Sequence, residues 1–228
     1  MINRGFVSPE FRQRVRGVGL PIALALGRFG FTPNVLTVIG FLGTCVAALA
    51  AASQAWTLAG ILVIVFGIFD MFDGALARAT GRATRFGAFL DSTLDRTGEN
   101  LVLAGVAFGC AAAGFLPGVA LAGLAFAFAS VVTYTRAKAE GLGLHGEVGF
   151  APRPERLVIL SFGLILAGVY RVEATTAEPG SVGDGSLGSL VLGIALGLIA
   201  ALSAITVLQR IFHTRRQLND NDGAPRST

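Results

Sequence analysis

Long apolar stretches separated by short polar or Gly/Pro-rich connections make up most of the chain. Each approaches or exceeds the ~20 apolar residues that a helix needs to cross a bilayer. The predicted fold class is therefore an all-α integral membrane protein with six transmembrane helices. We place these helices at residues 34–53, 56–79, 86–113, 116–138, 154–171 and 187–211.

The residues before the first apolar stretch follow a different pattern. Over residues 8–31, arginines alternate with large apolar residues, which is typical of a basic amphipathic helix on the membrane surface, bent at Pro21. Thr32 and Pro33 then form a helix-start signal. The predicted organisation is an N-terminal juxtamembrane amphipathic helix in 1–33, a six-helix domain in 34–212, and a polar cytoplasmic tail in 213–228, disordered after Arg216.

Composition supports a membrane protein and argues against a soluble domain. The mean hydropathy is +0.69 and only 14% of residues are charged, against about 25% in soluble domains. The net charge of +4 does not indicate nucleic-acid binding, because the placement of the basic residues matters more than their total. Cys45 and Cys110 lie inside apolar stretches and are expected to be small core residues.

The basic residues predict the topology. With six crossings, both termini lie on one side of the membrane. The loops on the opposite side contain a single basic residue, Arg171. Cytoplasmic loops of membrane proteins are enriched in Lys and Arg. We therefore predict a multi-pass protein of the cell membrane with both termini cytoplasmic. The basic residues on that side are Arg4, Arg12, Arg14, Arg16, Arg28, Arg82, Arg85, Arg136, Lys138, Arg153, Arg156, Arg215 and Arg216.

Four aspartates lie in the second and third apolar stretches. Asp70 and Asp73 share one helix face at i, i+3, and Asp91 and Asp95 share another at i, i+4. Because the two helices form a hairpin, the four carboxylates can surround one volume near the cytoplasmic interface. Hard divalent cations such as Mg²⁺ or Mn²⁺ offset the cost of grouping them. Salt bridges to nearby arginines, namely Arg78, Arg82, Arg85 and Arg96, are the simpler alternative.

Small and basic residues accompany the acids. Gly74 follows Asp73, and Gly87 precedes Asp91 by one helical turn, so both leave room for a ligand near the backbone. Arg78 can bind a phosphate with its fork of donors.

These residues together resemble a known family signature. The run Asp70-Met-Phe-Asp73-Gly74-Ala-Leu-Ala77-Arg78, followed after eight residues by Gly87-Ala-Phe-Leu-Asp91-Ser-Thr-Leu-Asp95, is similar to the complete CDP-alcohol phosphotransferase motif. The segment 31–37 resembles that family's entry into the first span. The segments 134–141 and 149–157 resemble the actinobacterial branch that makes phosphatidylinositol phosphate.

The resemblance implies a reaction and a site. It implies a homodimer that uses CDP-diacylglycerol as donor and, most consistently with the branch, inositol 1-phosphate as acceptor, with CMP leaving. It implies two Mg²⁺ or Mn²⁺ ions bound by Asp70, Asp73 and Asp91, with Asp95 as a further ligand or as the base on the attacking hydroxyl. The implied donor-binding residues are Asn34, Val35, Leu36, Thr37, Gly74, Arg78 and Thr84, although Thr84 alone suits a helix cap.

A second anion site is predicted at the cytoplasmic helix ends, where a phosphorylated acceptor would bind. Arg153 and Arg156, at i, i+3 beside a helix start, favour a phosphate site, and the alternative is ordinary positive-inside charge that binds anionic lipid. The branch usually reads Lys-Ala-Arg where this chain reads Arg136-Ala-Lys138, which keeps the charge and changes the geometry. The predicted acceptor-phosphate residues are Arg136, Lys138, Arg153, Arg156 and Arg210.

Other functions remain open from the sequence. The same chemistry with glycerol 3-phosphate would give phosphatidylglycerol phosphate, and unphosphorylated inositol would give phosphatidylinositol. A divalent-cation transporter is a different class, but transport sites usually lie near the midplane between repeated halves, and the sequence has no internal repeat. A non-catalytic membrane scaffold would leave four buried acids without a use.

Overall fold

The structure, a computed structural model, describes residues 21–144, 146, 148–149, 153–173 and 184–222. Within these residues the chain is helical with no strand, which confirms the all-α prediction. A short helical segment at residues 21–28 precedes six long helices. These are α1 (Pro33–Ala52), α2 (Trp56–Ala79), α3 (Arg85–Ala112), α4 (Leu116–Gly141), α5 (Arg153–Tyr170) and α6 (Asp184–Asp222).

Local sequence signals explain where two of the site helices begin. The Thr32 hydroxyl accepts a hydrogen bond from the Val35 amide at 3.3 Å, with Pro33 in the first turn of α1. The Thr84 hydroxyl accepts from the Gly87 amide at 2.9 Å and caps α3. Both caps lie at the end of the molecule that carries the aspartates.

The six helices pack as a closed ring. Helix α1 contacts α2 and α3, α2 contacts α5, α5 contacts α6, α6 contacts α4, and α4 returns to α3. Helices α1 and α3 approach closely, because a Cβ at Gly105 or Gly109 would collide with the Ala48 or Ala51 carbonyl oxygen. Small residues permit such close backbone approach in membrane helices. The buried apolar cluster lies inside this ring.

Four helices are long and apolar enough to cross a membrane, by length and composition: Pro33–Ala52, Trp56–Ala79, Leu116–Gly141 and Leu187–Asn219. Helices α3 and α5 carry the charges of the site, which lowers their hydropathy. Large apolar side chains point outward around the ring, as with Leu49, which is 69% exposed. An integral membrane protein follows, and six crossings remain a prediction.

The last helix corrects one prediction. The sequence predicted a helix ending at 211 and a disordered tail after Arg216, but α6 continues to Asp222. Residues after the apolar stretch continue the helix because the segment contains no Gly or Pro before Gly223. The first 20 residues, which hold most of the predicted amphipathic helix, lie outside the described residues. Residues 21–28 pack Ala23 against Leu36 and Leu76.

Candidate active site

The four predicted aspartates come together where the α2–α3 hairpin closes. Asp70 and Asp73 lie near the end of α2, and Asp91 and Asp95 lie near the start of α3. Asp95 is the carboxylate that interacts most strongly with each of the other three. Asp95 therefore interacts with every other acid of the cluster.

Helix α1 holds the two aspartates of α2 in place. The Thr37 hydroxyl donates to Asp73 Oδ2 at 2.6 Å, and the Gly74 amide donates to Asp73 Oδ1. One turn along α1, a Cβ at Gly40 would collide with Asp70 Oδ1. The i, i+3 pair on α1 thus matches the i, i+3 pair of acids on α2. Gly40 was not predicted as a site residue, since only the close approach of α2 gives it a role.

Arg153 links the acidic group to α5. Its guanidinium donates to Asp95 Oδ2 and lies 3.5 Å from Asp70 Oδ2. It also donates to the Asp95 carbonyl at 3.4 Å. The sequence predicted Arg153 as a ligand for the acceptor phosphate, whereas the structure pairs it with two of the predicted metal ligands. The reason is charge: clustered carboxylates attract the nearest flexible cation.

Arg156 forms a deeper ion pair. Its Nε donates to Glu99 Oε1 at 2.9 Å and its Nη2 donates to Oε2 at 3.1 Å. Arg156 is 2% exposed and Glu99 is 4% exposed. The structure thus pairs this predicted phosphate ligand with a buried carboxylate, and its role at the acceptor phosphate stays a prediction.

The remaining predicted acceptor residues lie at the ends of α4 and α6. Arg210 donates from Nε to the Val148 carbonyl at 2.8 Å and from Nη1 to the Val132 carbonyl. Arg136 pairs with Glu140 at 2.7 Å, and Lys138 is exposed. Arg210 has Arg136 and Arg156 as its closest charged neighbours. The structure therefore brings three of the predicted cations into one basic group beside Arg153, and leaves Lys138 at its edge.

A cavity of about 200 Å³ opens between the starts of α1 and α3 and the end of α2. Five of the seven predicted donor-binding residues line it: Asn34, Thr37, Gly74, Arg78 and Thr84. Further lining residues are Pro33, Asp73, Ala77, Arg82, Ala83, Gly87, Ala88 and Asp91. Two acids and two arginines in one cavity suit a ligand that carries both phosphate and bound cations.

Two predicted donor-binding residues do not line this cavity. Leu36 is 1% exposed and packs against Ala23 and Leu76. Val35 is 43% exposed and makes its contact through the backbone, with the cap at Thr32. Successive residues of a helix point in different directions, so a consecutive run such as 34–37 cannot all face one pocket.

The acids suit a hard divalent cation by chemistry, although their present arrangement is not a finished metal site. Among the described residues, no three His, Cys, Asp or Glu side chains form a ready set of metal ligands. The donor set is nevertheless all oxygen, as Mg²⁺ and Mn²⁺ prefer. Arg153 already supplies positive charge between Asp70 and Asp95, where a cation would serve the same purpose.

Sequence reasoning missed Arg82, which lines the cavity, and the partnership of Glu99 with Arg156. A signal for Glu99 was present. Asp91, Asp95 and Glu99 recur every four residues, so the third acid extends the same helix face. The arginine that Glu99 binds lies 57 residues further along the chain, and no local pattern identifies it.

Clustered carboxylates beside an arginine-lined cavity in a helical membrane protein suit a membrane enzyme that acts on phosphate-bearing substrates. The sequence profile of the family described as CDP-alcohol phosphatidyltransferase matches residues 31–208. The chain belongs to this family, and it is an enzyme that transfers a phosphatidyl group.

Curated relatives match along nearly all of the chain. A phosphatidylinositol phosphate synthase of Mycobacteroides abscessus is 36% identical over 211 residues, covering 91% of this chain and 88% of the relative. An archaetidylinositol phosphate synthase of Pyrococcus horikoshii is 33% identical over 217 residues, covering 93% and 96%.

Solved structures share the fold. The Mycobacterium tuberculosis phosphatidylinositol phosphate synthase in complex with manganese and citrate has a TM-score of 0.74 and 34% identity, covering 86% of this chain and 88% of that one. The same enzyme with CDP-DAG bound has a TM-score of 0.73 and 32% identity, covering 86% and 93%.

Proposed function

We propose that this enzyme transfers the phosphatidyl group of CDP-diacylglycerol to inositol 1-phosphate, giving phosphatidylinositol phosphate and CMP. The names of the relatives support the acceptor, and the M. tuberculosis enzyme with CDP-DAG bound supports the donor. The archaeal relative supports the same head group with a different lipid.

One observation carries the proposal: Arg153 contacts Asp95 and Asp70 and belongs to α5, whose first turn adjoins the basic group. The predicted phosphate-binding cations and the predicted base are therefore neighbours. A phosphate held by arginines here would bring a hydroxyl of the same small molecule close to Asp95. An uncharged alcohol would make no use of the basic group.

The chemistry follows from these positions. Asp95 accepts the proton of the acceptor hydroxyl, whose oxygen forms a bond to the phosphorus that carries the diacylglycerol. The bond from that phosphorus to the oxygen bridging it to CMP breaks, and CMP leaves with the electron pair. Two Mg²⁺ or Mn²⁺ ions held by Asp70, Asp73, Asp91 and Asp95 would neutralise the pyrophosphate and the departing phosphate; manganese in the M. tuberculosis structure supports this.

The donor nucleotide belongs in the 200 Å³ cavity. Arg78 and Arg82 supply positive charge for the pyrophosphate, and Asn34 and Thr84 supply polar groups. A Cβ at Gly87 would lie 3.0 Å from Asn34 Oδ1, so glycine keeps this side of the cavity open. The acyl chains would extend along the apolar outer surface of the ring into the bilayer.

The acceptor phosphate belongs to Arg153 together with Arg136 and Arg210, while Arg156 lies in the same basic group with its guanidinium paired to Glu99. Arg153 is the arginine best placed to bind this phosphate, because its partners Asp70 and Asp95 are the acids that would bind the cations. With cations held by Asp70 and Asp95, the Arg153 guanidinium would be available to bind the acceptor phosphate. Lys138 is exposed and would contribute only at the edge.

The basic residues support a six-crossing topology in the cell membrane, with both termini and the site on the cytoplasmic side. The sequence resemblance supports a homodimer.

The reaction is tested with purified enzyme, CDP-diacylglycerol and a panel of acceptors: inositol 1-phosphate, inositol and glycerol 3-phosphate. CMP release and the lipid product are measured together, with Mg²⁺, Mn²⁺ or excess chelator. The proposal expects phosphatidylinositol phosphate from the first acceptor and no turnover with chelator. Phosphatidylglycerol phosphate as the main product would mean that glycerol 3-phosphate is the acceptor. Full CMP release with excess chelator would mean that the reaction needs no divalent metal ion.

A further inference from the structure

Helices α3 and α5 face each other across the ring without backbone contact. No Cα atom of α3 lies within 8 Å of a Cα atom of α5 in the described residues. Long arginine side chains from α5 span the gap instead, with Arg153 reaching Asp95 and Arg156 reaching Glu99. In the described residues these two ion pairs connect α5 to the acids of α3 at this level of the molecule.

Arg156 and Glu99 form a buried, bidentate salt bridge. Both carboxylate oxygens accept from the guanidinium, at 2.9 and 3.1 Å, and both residues are almost wholly buried. Such a two-pronged contact fixes the plane of the guanidinium as well as its distance. Arg96 lies 3.8 Å from the same carboxylate. Buried ion pairs often add no net stability over apolar residues. We therefore expect this salt bridge to have a role other than stability.

The Arg156–Glu99 salt bridge lies one helical turn from Asp95 on α3 and from Arg153 on α5. Glu99 lies one turn beyond Asp95 on the face that also carries Asp91. Arg156 lies one turn beyond Arg153 on α5. The two bridges are thus stacked, with the buried pair directly behind the pair that contacts the acids. Fixing the inner bridge fixes where the outer guanidinium can reach.

We propose that Glu99 is a positioning residue for the acceptor site: it acts through Arg156 to hold the start of α5, and with it Arg153, at the distance from Asp95 that acceptor binding requires. This inference rests on the proposed function for the identity of the acceptor. Glu99 itself touches neither substrate nor the reacting atoms. Its effect should therefore appear in acceptor binding and should depend on Arg156.

The test is a double-mutant cycle on the full-length enzyme in detergent or nanodiscs. Glu99→Gln, Arg156→Gln and the double variant are compared for acceptor KM, donor KM and kcat, using inositol 1-phosphate and CDP-diacylglycerol. Each single variant should raise the acceptor KM roughly tenfold, the scale of coupling within one salt-bridge network. Donor KM should stay within about twofold, because neither Glu99 nor Arg156 lines the donor cavity. The double variant should be no worse than the worse single variant.

Two further variants separate positioning from folding. Glu99→Asp keeps the charge and should restore part of the acceptor affinity lost in Glu99→Gln. Glu99→Leu combined with Arg156→Met replaces the pair by apolar residues, which usually preserves folding. That protein should elute as wild type and keep its donor KM while its acceptor KM rises. Glu173→Gln is the matched control, since Glu173 is exposed beyond the far end of α5.

An unchanged acceptor KM in the folded Leu/Met protein would overturn the proposal, and so would single-variant effects that multiply in the double variant. Failure of the proposed function is visible separately. If the wild type turns over glycerol 3-phosphate and not inositol 1-phosphate, the acceptor assignment is wrong, and the cycle is then run with the acceptor that is used.

Discussion

At the scale of single residues, the acids depend on neighbours that carry no chemistry themselves. Asp73 receives a hydrogen bond from Thr37, and Asp70 occupies the space that a side chain at Gly40 would fill. Residues that orient metal ligands commonly change metal affinity by 10–100-fold when altered. Thr37 and Gly40 of α1 are therefore part of the site because they position the acids.

Gly40→Ala tests this arrangement. The added methyl group must push the Asp70 carboxylate away, so Mn²⁺ affinity should fall by roughly tenfold or more. Binding is measured by electron paramagnetic resonance of free Mn²⁺ on the purified protein without substrate. Gly123→Ala is the control, because a Cβ there meets nothing within 4 Å. Equal Mn²⁺ affinity in the two variants would mean that metal binding does not depend on the position of Asp70 beside Gly40.

Asp91→Asn and Asp95→Asn should fail in different ways. Asp91 lines the donor cavity, so its amide variant should lose Mn²⁺ binding and turnover together. Asp95 contacts Arg153 and is centred among the acids, and its loss as a base should reduce kcat by ~10²-fold or more while at least one ion still binds. Mn²⁺ titration and single-turnover CMP release are measured on both. Near-normal turnover in Asp95→Asn would remove the catalytic role.

At the scale of helices, α1 and α3 pack closely along an interface that we call the seam, and residues of both helices line the donor cavity. Gly105 and Gly109 let the α3 backbone approach the carbonyl oxygens of Ala48 and Ala51. Toward their first residues, Asn34 of α1 and the cap Thr84 of α3 both line the cavity. A change at the seam should therefore act on stability first.

Gly105→Val should destabilise the protein by about 2 kcal/mol, since overpacking typically costs 1–3 kcal/mol. The apparent Tm in detergent should fall by several degrees, at roughly 2–4 °C per kcal/mol for a chain of this size. Scanning fluorimetry measures the shift, again with Gly123→Ala as the control. An unchanged Tm would show that the helices separate at this seam without cost.

The helices show how far local patterns reach. The starts of α1 and α3 were predictable because Thr32 and Thr84 are capping residues followed by apolar periodicity. The end of α6 was not, because its last turns are polar and only the absence of a helix breaker marks their continuation. Hydropathy finds a membrane span, and it does not find a helix that extends past one.

At the scale of the whole molecule, the ring sets which predicted residues can meet. The four aspartates were predictable because their spacing and hairpin are local. The pairing of Arg153 with Asp95 and of Arg156 with Glu99 was not, because it depends on α5 facing α3 across the ring. A sequence identifies charges at helix ends, and only the packing order of the helices shows which of them become partners.

The topology makes a prediction for the whole chain. In a Cys45→Ser/Cys110→Ser background, a single cysteine at Thr80 follows α2 and one at Ser53 follows α1, at opposite ends of the ring. Both positions are exposed. A membrane-impermeant maleimide should label Ser53→Cys in right-side-out vesicles and Thr80→Cys in inverted ones. The reverse pattern would put the acidic site on the outer face, contrary to the positive-inside assignment.

The most direct test of the account is acceptor discrimination by Arg153. The ratio of kcat/KM for inositol 1-phosphate to that for inositol is measured in wild type and in Arg153→Ala, with CDP-diacylglycerol and Mg²⁺. We predict that the wild type strongly prefers the phosphorylated acceptor, and that the variant loses roughly 10- to 100-fold of this preference, the value of one charged hydrogen-bonded contact. A wild type that uses inositol equally well, or a variant that keeps the full preference, would contradict the account.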